Sequence, residues 1–210
     1  MLEFIFPPKC VLCRQLLTKE ETDLCHSCRQ RTPVFNRAKR NIPFVAQWTS
    51  LWYYKDDVRK SIHRFKFGNA RSYADIYARH LAMQLQDMDI DILTWVPVSF
   101  LRRLKRGYDQ AELFARALSK ELNIPVRALL KKVRHTPPQS GLHNASQRRA
   151  NVLGAYKVLH PNEVSGKRIL LIDDVITTGA TASECAKTLL SAHADKVYFA
   201  SIAATDDNNK

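Results

Sequence analysis

No stretch of the 210 residues approaches the ~20 uninterrupted apolar positions that a membrane span needs. Met1 to Pro8 has neither a basic leader nor a long apolar run, and the chain contains no internal repeat and no low-complexity tract. These absences point to a soluble, cytoplasmic chain without stable membrane insertion, one that reaches the inner face of a membrane only through partners. The length suits one ordinary domain, with roughly 40 residues left over for a small module.

Acidic side chains are also scarce: 20 Asp and Glu against 33 Lys and Arg leave a formal net charge of +13. The excess is concentrated. Residues 101–150 hold 12 basic and 3 acidic side chains, whereas 151–210 hold 6 and 7. A polyanion fits such a concentration, either a pyrophosphate-bearing small molecule or a nucleic acid bound in a salt-dependent way. Scattered Lys and Arg usually form only a solvated face; here much of the charge falls in two predicted loops.

Four of the five cysteines, Cys10, Cys13, Cys25 and Cys28, form two C-x2-C knuckles separated by eleven residues. Thiolates two residues apart turn onto one ion, and two such knuckles complete a tetrahedral zinc site. A pair of disulfides is the alternative, which a reducing compartment disfavours. With every coordination position given to the protein, the zinc is structural, stabilising a segment too short to bury its own core. His26 is a bystander inside the second knuckle, and Cys185 reads as a small core residue.

From Phe44 onward strands and helices alternate. Residues 47–54 are aromatic and β-prone, 56–67 repeat Val58, Ile62 and Phe65 on one helical face, and 72–86 read as a second helix. Further strands are expected at 94–98, 129–133, 152–158, 168–172 and 196–203, helices at 109–122 and 181–193, and polar loops at 101–108 and 134–149. The pattern is α/β: a parallel sheet with helices on both faces, whose loops gather at the carboxyl ends of the strands, where such sheets bind ligands. It divides the chain into a four-cysteine zinc-ribbon-like module at 1–42, a sheet domain at 43–205 and a polar tail at 206–210.

The segment Ile169 to Thr181 carries the chemistry. Two acids, Asp173 and Asp174, follow an apolar strand, and Thr177, Thr178, Gly179, Ala180 and Thr181 then open a helix. Backbone amides and three hydroxyls there can meet a phosphate at a helix amino terminus, with Gly179 permitting close approach. The acids can accept hydrogen bonds from ribose hydroxyls, directly or through Mg²⁺. A plain turn and helix cap explains one acid and one threonine, but not thirteen residues in order. The segment resembles the phosphoribosyl-pyrophosphate (PRPP) motif of the type I phosphoribosyltransferases. That resemblance implies their fold, with the ribose on Asp173 and Asp174 and the 5′-phosphate on residues 177–181.

Val96-Pro97-Val98, Arg103-x-x-Arg106-Gly107-Tyr108-Asp109-Gln110, Arg134-x-Thr136-x-x-Gln139-x-x-Leu142, Arg148-x-x-Asn151 and Gly154-Ala155 accompany the knuckles. Together these resemble the ComF family over nearly the whole length, except that Asp109 stands where the family usually has Asn. The resemblance implies a competence protein of natural transformation, one that handles or transports incoming single-stranded DNA. It implies PRPP and Mg²⁺ as ligands, and competence machinery such as a DNA helicase or uptake channel as partner. By the same resemblance Arg102, Arg103, Lys105 and Arg106 sit where related enzymes hold pyrophosphate, a role that guanidinium forks suit. Residues 134–150 match a loop that closes over the reaction centre, and Arg134, Gln139 and Arg148 would contact pyrophosphate or nucleic-acid phosphate there.

A second reading is an active phosphoribosyltransferase passing ribose 5-phosphate from PRPP to an unknown acceptor, for which no motif is legible. Trp48, Trp52, Tyr53 and Tyr54 offer either stacking surface for single-stranded DNA or core packing. His135 and His143 read as acid or base, or as surface histidines.

Overall fold

The computed structural model describes residues 7–35, 40–134 and 145–206. Turns around the first cysteines lead to α1 (His26–Arg31), then β1 (Gln47–Tyr53), α2 (Asp56–Phe67) and α3 (Tyr73–Ala82). β2 (Ile92–Trp95) is followed by α4 (Phe100–Arg106), α5 (Gln110–Leu122), β3 (Leu130–Lys132), α6 (Ala145–Val152), β4 (Tyr156–Val158) and α7 (Pro161–Val164). β5 (Arg168–Ile176), α8 (Ala180–Leu190) and β6 (Lys196–Ala204) complete the order. Among the described residues no helix is long and apolar enough to cross a membrane.

β1, β6, β5 and β2 form, in that order, an all-parallel sheet. Its central strands are apolar on both sides because both sides are covered. From β5, Leu170 and Ile172 enter a core with Ile62, Phe65, Tyr77 and Phe114 of α2, α3 and α5. Ile169 and Leu171 enter a second core with Cys185 and Leu189 of α8. Trp52 (5% exposed) lies in the first core and Trp48 (7%) in the second. Half-buried Tyr54 and Tyr53 pack against the same two cores, so the aromatic strand is interior packing rather than a stacking surface.

Several expectations are corrected. Residues 101–108 do not form a loop: Ser99 and Gly107 cap a helix there, with Gly107 in the left-handed region at φ +77° and its N–H on Arg103 O at 2.8 Å. β3 and β4 do not join the parallel sheet. They pair antiparallel as a separate two-stranded sheet, with Leu130 opposite Val158. Each buries one residue of three, the one-sided pattern of antiparallel pairing. Residues 145–152 are helical. β2 stops at Trp95, two residues before Pro97, which has no N–H to donate.

The cysteine segment is seated on α2. Val11 and Leu12 are fully buried in the same core as Phe65 and Tyr77. Ser61 Oγ donates to Val11 O at 2.5 Å, and Arg64 donates to Val11 O at 3.0 Å and Leu12 O at 2.5 Å. Around the rim Arg79 donates twice to Asp23, at 2.6 and 3.2 Å, and Arg31 pairs with Asp57 at 2.8 Å.

Candidate functional site

The four knuckle sulfurs lie within 4.8 Å of one another, and Cys13 Sγ is 3.6 Å from Cys25 Sγ. Tetrahedral zinc with bonds of ~2.3 Å separates its sulfurs by ~3.8 Å, so the set fits one ion. Cys10, Cys25 and Cys28 are buried and Cys13 partly so. Arg31 donates to Cys28 Sγ at 3.8 Å, the outer contact that orients such ligands. The cluster is a structural zinc site.

The second site is a cavity of about 190 Å³ over the carboxyl end of β5. Asp173 and Asp174 form part of its wall, and Thr177, Gly179, Ala180 and Thr181 another part where α8 begins. Thr178 is not in the lining; its Oγ1 accepts from Ala180 N at 3.4 Å. Gly179 is the N-cap of α8 at φ +77°, a conformation that disfavours a side chain. Space is tight as well, since a Cβ there would lie 3.2 Å from Ile42 Cγ1 and the Ile42 side chain would have to give way.

Four cations line the same cavity: Lys66 from the last turn of α2, Arg102 and Arg106 from α4, and Lys132 from β3. Lys66 Nζ is 2.9 Å from Asp174 Oδ1. Burial, and then the neighbouring Asp174 carboxylate, push Asp173 well above the usual carboxylate range; Asp174 N–H and Lys66 only partly oppose this. Burial, reinforced by Arg102, pulls Lys132 down to about 8. Burial and Arg106 likewise lower Arg102. Crowded positive charge and two carboxylates in one cavity suit a ligand that carries both strong negative charge and hydroxyls.

Of the other residues singled out by sequence, Arg103 points away from the cavity and pairs loosely with Glu112 at 3.7 Å. Arg134 is exposed and donates to Ala150 O and Asn151 O at 3.3 and 3.0 Å. Arg148 lies on α6 and Lys105 on α4, while Gln139, His135 and His143 lie outside the described residues. Sequence reasoning missed Lys66, Lys132 and Tyr156, which also lines the cavity. No local pattern marks them, because only the packing of α2 and of the β3–β4 pair brings them in.

Asp109 does not bear on the anion wall. One oxygen caps α5 through Ala111 N (3.0 Å) and Glu112 N (3.3 Å), and the other accepts from Val98 N at 3.1 Å. Burial raises its pKa against these three bonds. Arg106 is held instead by Gln110 Oε1 at 2.7 Å.

Residues 109–210 match a phosphoribosyl transferase domain, and residues 1–39 a double zinc ribbon domain. Competence protein F of Haemophilus influenzae is 31% identical, the match covering 90% of this chain and 93% of that protein. DNA utilization protein YhgH of Escherichia coli O157:H7 is 29% identical over 79% and 71%. Competence protein ComFC of Bacillus subtilis is 25% identical over 86% and 77%. The parallel sheet has the type I phosphoribosyltransferase fold, a zinc ribbon precedes it, and the chain belongs to the ComF family.

Proposed function

We propose that this chain is a competence protein of natural transformation, holding PRPP in the cavity above β5 and handling incoming single-stranded DNA on the basic surface beside it. The observation that carries the PRPP half is the pairing of two acids with four cations around one cavity at the start of α8. Asp173 and Asp174 take the ribose hydroxyls. Thr177, Gly179, Ala180 and Thr181 take the 5′-phosphate, with Thr178 shaping their loop, because amides at a helix amino terminus favour an anion. Lys66, Arg102, Arg106 and Lys132 neutralise the pyrophosphate. The hard oxygens of Asp173 and Asp174 fit Mg²⁺, which would supply further neutralisation of the ligand.

Exposed Arg103 and Arg134 are left for nucleic-acid phosphates. The names of the relatives, two competence proteins and a DNA utilization protein, support this half; a helicase or uptake channel is the partner class that goes with the proposal. Titration calorimetry with PRPP and Mg²⁺ tests the cavity: Asp173→Ala with Asp174→Ala should abolish binding, and unchanged affinity refutes the assignment. Gel shifts with single- and double-stranded DNA, with and without PRPP, test the other half.

An active transferase is the second reading, favoured by the cations gathered where a departing pyrophosphate would be stabilised. Steady pyrophosphate release from PRPP on adding one acceptor would establish it.

A further inference from the structure

The outer face of α2 carries a stripe that neither the cores nor the cavity use. Arg59, His63 and Phe67 recur every four residues, sharing one face over roughly 12 Å of helix. All three are exposed, Phe67 at 58%. The Phe67 ring lies 4.8 Å from the His63 ring, tilted by 48°, and the Arg106 guanidinium sits over it at 4.9 Å. Arg106 also lines the cavity and is pinned by Gln110. The stack therefore starts at the cavity mouth and runs outward beside a shallow groove lined by Asp56, Arg59, Lys60, His63 and Arg64.

We propose that the His63–Phe67–Arg106 stack is a platform for a base of single-stranded DNA, with Arg59 and Lys60 following the phosphates, so that the strand leads toward the cavity. This rests on the DNA-handling reading above and locates it away from the aromatic strand β1, whose tryptophans are buried. An exposed aromatic face accepts any base, and the contacts to His63 and Arg106 fix the ring before a ligand arrives, so little side-chain freedom is lost on binding. The cations alongside attract the backbone: Arg59 and Lys60, which also pairs with Asp57 at 3.1 Å. A duplex hides its base faces, and an acidic peptide has none.

Fluorescence anisotropy with the full-length zinc-loaded protein tests this, using an oligo-dT, an abasic strand of equal length, a duplex and an acidic peptide at two salt concentrations. Wild type should bind oligo-dT about tenfold more tightly than the abasic strand. Phe67→Leu should lose that preference while retaining abasic binding, its salt slope, zinc content and melting temperature; Phe67→Trp should keep it. If Phe67→Leu keeps the full preference, the platform is refuted while DNA handling stands. If wild type binds none of the nucleic acids, DNA handling itself falls. Binding of the acidic peptide as tight as that of oligo-dT overturns the platform in favour of a protein partner.

Discussion

The cysteine cluster and the aspartate cavity both grow from short motifs, but they are completed in opposite ways. All four thiols come from one stretch between Cys10 and Cys28. The cavity takes its acids from one strand and its cations from α2, α4 and β3, separated by tens of residues. Where ligand atoms are neighbours in sequence, spacing alone dictates the chemistry. Where charges converge from distant elements, only tertiary packing does, and burial there raises the pKa of Asp173 and lowers those of Lys132 and Arg102.

Metal removal tests the local side and should have the largest effect. A structural zinc contributes on the order of 10 kcal/mol to the segment it organises, and Val11 and Leu12 belong to the main core. Chelation should abolish hydrogen-exchange protection of the ribbon and lower the melting temperature by on the order of 10 °C; an unchanged melting curve after complete stripping would break the comparison.

The link between the two regions is tested next. Gly179→Ala forces a side chain into a left-handed conformation against Ile42, which should cost about 2 kcal/mol in chemical denaturation. Combined with Ile42→Ala the costs should be less than additive; strict additivity would show that the amino-terminal segment does not constrain the phosphate loop.

Asp109→Ala should cost about 2 kcal/mol by the same measurement, through loss of the cap and the Val98 contact. Asp109→Asn should cost about half as much, because an amide keeps the cap but has one acceptor oxygen. Equal losses would make the cap irrelevant.

The smallest effect concerns Lys132, whose pKa lies near 8. Between there and its unfolded value the native chain has released a proton that the unfolded chain keeps, so stability rises with pH across that window. Affinity for inorganic pyrophosphate should fall a few-fold as pH rises through about 8, where native Lys132 loses its charge, by calorimetry at pH 7 and 9. Lys132→Met should flatten both trends.

The sequence was legible where periodicity or spacing is local: the knuckles, β1, α2, the Asp173–Thr181 segment that joins β5 to α8, α8 itself and β6. It misled where a charge run looked like loop. Ser99 and Gly107 signal the caps of α4, but the four cationic positions between them, Arg102, Arg103, Lys105 and Arg106, hide any apolar stripe, and Phe100 and Leu104 remain exposed. The β3 and β4 segments read as strands of the main sheet because three-residue apolar-polar patterns do not name their partners. Lys66 and Lys132 were invisible because their neighbours in sequence are a helix and a short strand, and their neighbours in space are the acids.

Helix α2 meets the ribbon with Ser61 and Arg64 and the cavity with Lys66. A cut after residue 42 would take Val11 and Leu12 out of the core that holds Ile62, Phe65 and Tyr77, and would strip both donors of their carbonyl acceptors. A chimera that exchanges ribbons between relatives must therefore carry α2 along: the heritable unit is the ribbon together with the helix it sits on.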